Sequence, residues 1–133
     1  MTDPLRVTGR TLLALYFIVP GAMKFFDWDR HIALMELHNM PVAPALLALS
    51  GIVQLVAGLL LLLNRQVLAS ALVLAGLVLL INLNLHDFWN TYEGTDPGHE
   101  LQNFIKNLAI MAGLLVLSGA KQIEQFRPFS AKD

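Results

Sequence analysis

Seven polar residues interrupt or border long apolar runs in this chain: Lys24, Gln54, Asn82, Asn84, His86, Lys106 and Asn107. Asn82 and His86 are four apart and would share one face of a helix. Lys24 follows Pro20 and Gly21, and a proline at that place should bend the segment that carries it. The chemistry open to such a set is binding rather than bond-making. Two ammonium groups and an imidazole favour an anionic or carbonyl-bearing ligand, such as a quinone head group or a lipid phosphate. The same residues have a plainer use. Asn, Gln and His can hydrogen-bond between helices while lysines reach out to an interface. A proton or ion path is disfavoured, because no carboxylate lies deep in any apolar run.

Other chemistries are excluded or unsupported. The chain has no cysteine, which removes disulfides, thiol catalysis and Cys-ligated metal. His31, His38, His86 and His99 form neither a His-Glu-x-x-His motif nor a pair four apart, so no metal is expected. There is no Gly-rich phosphate loop after a strand and no Gly-x-Ser-x-Gly elbow, hence no self-contained catalytic motif. Net charge is −1, and without a basic stripe nucleic acid is not an expected partner.

The elements that must position the seven residues follow from composition. Of 133 residues, 56% are apolar and only 14% charged, against roughly 25% charged in a soluble domain. About 20 apolar residues cross a bilayer core, and four segments qualify, at about 9–26, 43–63, 67–86 and 104–120. The expected fold is all-α: a polytopic membrane protein of one domain, 1–133, built as a four-transmembrane-helix bundle. The first run has some features of a cleavable signal, with Arg6 and Arg10 ahead of it and Pro20, Gly21 and Ala22 behind. It continues through Phe25 and Phe26 and is followed by further apolar runs, so it reads as a span. Asn64, Arg65 and Gln66 make a tight turn, which forces the second and third spans to be antiparallel neighbours.

Orientation follows from basic residues. Arg6, Arg10, Arg65, Lys121, Arg127 and Lys132 fall on one side, which the positive-inside rule makes cytoplasmic. Both termini are then expected inside. The other side carries Asp27, Asp29, Glu36, Asp87, Glu93, Asp96 and Glu100, and Trp28, Trp89 and Tyr92 flank it as an interfacial belt would. A short interfacial helix or a plain loop is expected at about 29–40, and an outer loop at about 90–98, with Gly94, Pro97 and Gly98 as breakers. No repeat is convincing. Ala71 with Ala75 and Ala109 with Gly113 are small-residue pairs suited to close helix packing.

On this topology all the polar residues but Gln54 fall in the outer third of the bilayer. Gln54 lies about ten residues, or about 15 Å, from the outer end of its span. Four segments would thus bring polar groups to one level, with Lys24, His86, Lys106 and Asn107 touching a ligand and Gln54 and Asn82 forming floor and wall. Asp27, Asp87 and Glu100 are the candidate counter-charges for the lysines.

The ordered motifs resemble one family. Gly21, Ala22, Met23, Lys24 and Phe25 end the first span, and Pro41 precedes the second. Leu49, Ser50 and Gly51 lead through Gln54 to Gly58. Asn84, His86, Phe88 and Trp89 close the third span, and Gln102 to Leu108 opens the fourth. Together they are similar to the DoxX family of small membrane proteins. The resemblance implies a four-helix bundle in a bacterial cytoplasmic membrane. It also implies a link to quinone-coupled redox complexes, since the family takes its name from subunits associated with thiosulfate:quinone oxidoreduction. An accessory subunit with a quinone ligand and a redox-complex partner is the function this suggests, and an oligomer is compatible with it. An assembly or scaffold protein and a small transporter are the alternatives. Family members often carry Glu where this chain has Gln54, so the pocket here would be more positive and less suited to acid–base work.

Overall fold

A computed structural model describes residues 3–126, and all of its regular structure among them is helical. Helix α1 spans Pro4–Phe26, α2 Trp28–Leu37, α3 Ala43–Leu62, α4 Val67–Leu85 and α5 Pro97–Phe126. Two starts lie earlier than the apolar runs suggest, for the same local reason. Asp3 caps α1, accepting the Leu5 amide at 3.0 Å, and Pro4 follows it as a first-turn proline. Asp96 does the same for α5, accepting the Gly98 amide at 3.0 Å with Pro97 next. The expected loop at 90–98 therefore gives way to helix at Pro97, and the fourth apolar segment is part of a helix of 30 residues, about 45 Å long at 1.5 Å per residue.

Pro20 lies inside α1, which runs on as helix past it to Phe26. The sharp change of direction comes at Asp27, where α1 and α2 meet at 95°. Helix α2 accounts for the short helix expected at about 29–40. It folds over the ends of α3 and α4, where Met35, Ala43 and Leu47 form a small core with Trp28, Ile32 and Leu85 against it. Trp28 is thus drawn into packing, whereas Trp89 is exposed.

Helices α3, α4 and α5 are each long and apolar enough to cross a membrane, and α1 meets that standard only as a bent pair with α2. Arg6, Arg10 and Lys24 dilute its apolar run. Large side chains such as Leu49, Val56, Leu80, Ile105 and Val116 are exposed on the outside of the bundle. That pattern suits lipid as solvent and would be a liability in water.

Contacts across the bundle fix its up-and-down order. Helices α1 and α3 pair closely, as do α4 and α5. A Cβ on Gly21 would stand 2.9 Å from the Gln54 Cβ, and one on Gly58 would stand 2.8 Å from Ile18 Cγ1 and 3.3 Å from the Ala14 carbonyl. Glycine at both places lets the α1 and α3 backbones approach, which is how helices gain dispersion energy where lipid offers no hydrophobic drive. The main core, with Phe17, Leu61, Leu74 and Leu114, is buried between the two pairs. Among the neighbouring long helices, α1 and α5 touch least. They meet where Arg6 pairs with Glu124, where Leu13 faces Gly113, and where Tyr16 reaches Asn107. Arg6, the turn around Arg65 and Lys121 share one end of the bundle, away from α2. Arg127 and Lys132 lie outside the described residues.

Candidate functional site

The polar residues singled out in the sequence gather around one cavity of 570 Å³, set between the α1/α3 pair and the α4/α5 pair towards the α2 end. Its floor is a hydrogen-bonded chain. The Tyr16 hydroxyl donates to Asn107 Oδ1 at 2.9 Å, Asn107 Nδ2 donates to Asn82 Oδ1 at 2.9 Å, and Asn82 Nδ2 donates to the Phe104 carbonyl at 3.0 Å. Asn82 is fully buried and Asn107 nearly so. Each amide uses both its oxygen and its nitrogen, so the floor is satisfied within the protein.

The walls are not. Gln54 comes from α3 opposite Gly21, is 4% exposed and lines the cavity, and its Oε1 is buried with no hydrogen-bond partner. Lys24 enters from α1 two turns beyond Tyr16, and Lys106 from α5 one residue before Asn107. Neither lysine makes an ion pair among the described residues. His86 caps the end of α4 and borders the cavity, with Nδ1 2.7 Å from Glu100 Oε2. Two cations, an imidazole and an open amide therefore face one space lined otherwise by Phe17, Pro20, Val78 and Ile110. Its size is within the roughly 300–1,000 Å³ usual for small-molecule sites.

Six of the seven expected residues thus belong to this site, five on its lining and Asn82 beneath it. Asn84 does not. It is exposed, and its Nδ2 donates to the Leu80 carbonyl of its own helix at 2.8 Å. Two residues along a helix is about 200° of rotation, so Asn82 and Asn84 cannot face the same way. The counter-charges also pair differently from expectation. Glu100 takes His86, Asp27 takes Arg30 at 3.7 Å, and Asp87 takes His38.

That last pair belongs to a cluster the sequence gave no means of assembling. His38 Nδ1 lies 3.0 Å from Asp87 Oδ1, and Asn90 Nδ2 donates to Asp87 Oδ2 at 2.8 Å. The Tyr92 hydroxyl donates to the same Oδ2, and its ring lies 4.2 Å from that of His38. Both side chains of the His38–Asp87 pair are almost fully buried. Burial pushes the Asp87 carboxyl up, but the hydrogen bonds it accepts from Asn90, Tyr92, its own backbone N–H and His38 outweigh that, and it stays below the usual carboxylate range. The hydrogen bond to Asp87, above all, holds the Tyr92 phenol above its ordinary value. The cluster ties the α2–α3 connection to the α4–α5 loop, and so fixes α2 over the end of the bundle. Asn103 and Tyr16 are further cavity residues. Tyr16 is 91 residues from the Asn107 it bonds, so its place in the site carries no signal until the helices are paired.

A family model described as DoxX matches residues 5–87. The match takes in α1 to α4 and stops short of α5, whose Lys106 and Asn107 complete the cavity. No curated protein and no solved structure matches the chain.

Proposed function

The chain belongs to the DoxX family, and from that premise we propose that this multi-pass membrane protein is an accessory subunit of a quinone-linked redox system, holding a quinone-type head group in the cavity. We take the whole chain as one membrane domain that crosses a bacterial cytoplasmic membrane four times. Both termini are inside and the α2 end faces out. The clustering of Arg6, Arg65 and Lys121 at the end away from α2 supports that orientation.

The observation that carries the proposal is the Gln54 Oε1, which has no partner among the described residues, in a cavity that also receives two lysines with no ion pair among them. A polar group buried in an apolar setting normally finds a partner, because leaving it alone costs about 1–3 kcal/mol. A ligand would supply what the protein does not. Quinone carbonyls accept hydrogen bonds from ammonium and amide N–H groups. A quinol hydroxyl can donate to Gln54 Oε1, the atom the protein leaves unmet, whereas a quinone, which has no donor, can accept only from the Gln54 Nε2 and the lysines. Gln54 in place of a carboxylate keeps the cavity positive and suits an electron-rich carbonyl head group.

Titration of the purified protein with a quinone analogue tests this. Lys24→Met and Lys106→Met should each weaken binding about tenfold or more, the worth of a charge-assisted hydrogen bond. Parent-like affinity in both variants would overturn the assignment of the ligand to this cavity. A scaffold role is the second reading. It is favoured by the floor, whose amides are already satisfied between helices. Crosslinking in native membranes that captured a stoichiometric partner, with no quinone retained by the protein, would decide for it.

A further inference from the structure

Resting on that binding reading, we propose that the cavity is filled sideways from the bilayer through a gap between α1 and α5, so that its ligand is a long-chain amphiphile whose carbonyl-bearing head enters while its tail stays in lipid.

The gap follows from where the two helices touch. Going from the end that carries the Arg6–Glu124 pair, α1 and α5 are joined at Leu13 with Gly113 and again at Tyr16 with Asn107. Beyond that rung no hydrogen bond or ion pair links α1 to α5 among the described residues. Between that rung and the α2 end the cavity lining from these two helices is polar or small but for Phe17. Pro20 and Lys24 line it from α1 and Asn103 and Lys106 from α5, while Ala109 lies on the other side of the rung. Tyr16 is 41% exposed, and Lys106 is exposed as well while lining the cavity. A residue that does both stands in a mouth.

The other approaches are obstructed. Helices α1 and α3 are closed on each other by the close approaches at Gly21 and Gly58, and α4 and α5 are closed by the Asn82 bonds. Over the end, α2 packs on α3 and reaches Leu85 of α4, and His38 fastens it to Asp87. The His86–Glu100 contact joins α4 to the start of α5 beside it. The flanks of the α1/α5 gap are apolar and exposed, with Val19 and Met23 on one side and Ile105 on the other. A tail could lie against these side chains without leaving hydrocarbon. The lysines at the rim would meet the head group first, and Gln54 would meet it deepest.

The test uses the whole protein in nanodiscs and a benzoquinone carrying a photoreactive diazirine on a ten-carbon tail. Crosslinks should fall on α1 and α5 around Val19, Met23 and Ile105. Excess tail-less benzoquinone should suppress them by taking the head-group site. Val19→Trp, on the exposed flank and off the cavity lining, should cut crosslinking at Met23 and Ile105 about tenfold, while the affinity for the tail-less head group changes by less than about threefold. Val19→Phe should give an intermediate loss, which guards against a tryptophan that merely unfolds the bundle. Crosslinks spread over all lipid-facing helices, or gathered at another seam, with tail-less quinone still bound, would overturn the lateral gap and leave the binding reading standing. No binding of the tail-less quinone to the parent protein would overturn both.

Discussion

Replacing Gln54 by leucine separates a ligand site from a packing contact, because the two predict opposite changes in stability. In the ligand-free protein the Gln54 Oε1 is buried without a partner and the residue is 4% exposed. The desolvation cost of such an oxygen is about 1–3 kcal/mol. Leucine has similar volume and no polar atom, so Gln54→Leu removes that cost without opening a void. The expected result is a ligand-free protein more stable by about 1–3 kcal/mol, a rise in melting temperature on the order of 5 °C. Trp28 and Trp89 provide the fluorescence signal for a thermal melt in detergent. The same variant should lose quinone binding by tenfold or more, since the deepest polar contact is gone. A melting temperature that falls would refute the reasoning. It would mean that Gln54 is already bonded in the free protein, and that the cavity lacks the unmet group on which the proposal rests.

Three further outcomes are expected. Asp87→Ala should cost about 1–3 kcal/mol, since it leaves buried His38 without its hydrogen-bond partner, and amide exchange in α2 should rise with it. Because the Asp87 carboxyl is held below its usual range, its stabilisation is complete above about pH 4, the unfolded value, and is lost as pH falls through the lower folded value. Asp87→Asn should therefore flatten the acid limb of a stability–pH profile. Asn82→Leu should cost about 1–3 kcal/mol by orphaning the Asn107 amide, and adding Asn107→Leu should cost less than the sum, as a thermal double-mutant cycle would report. Gly58→Val should destabilise by about 1–3 kcal/mol through overpacking against Ile18 and the Ala14 carbonyl. Gly76→Ala, which meets nothing within 4 Å, should leave melting unchanged or raise it.

The spans and the level of the polar residues were legible because both depend on position along a helix. Apolar length marks α3, α4 and α5, and a polar residue inside such a run is conspicuous whichever way the helix turns. What depends on rotation or on distant pairing was not. Asn84 looks like Asn82 in one dimension and differs only by its angle round α4. Glu100 is one of several acidic residues near a span end, and nothing local says that it takes His86 rather than a lysine. His38 and Asp87 are 49 residues apart, and neither lies in a motif. The early start of α5 was legible in principle, since Asp96 before Pro97 is a cap followed by a first-turn proline. The glycine beside them hid it by suggesting a loop.

The contrast between floor and walls argues most strongly against a purely structural role for the polar layer. Within a bilayer each polar side chain either finds a partner inside the protein or carries a penalty. Asn82, Asn107 and Tyr16 have found theirs, and they tie α1, α4 and α5 together with no group to spare. Had packing been the whole requirement, the layer above could have been apolar, as it is around Leu74 and Leu114. Instead Gln54 is buried and unmet, and Lys24 and Lys106 bring two unpaired ammonium groups to the same space. An acceptor and two donors left over beside a bonded network are a cost that the folded chain alone does not recover. A quinol head group, its oxygens accepting from the lysines and its O–H donating to Gln54 Oε1, would recover it, which ties the stability of the bundle to the occupancy of its site. Adding the tailed ligand in its quinol form should therefore raise the melting temperature of the parent protein more than that of Gln54→Leu.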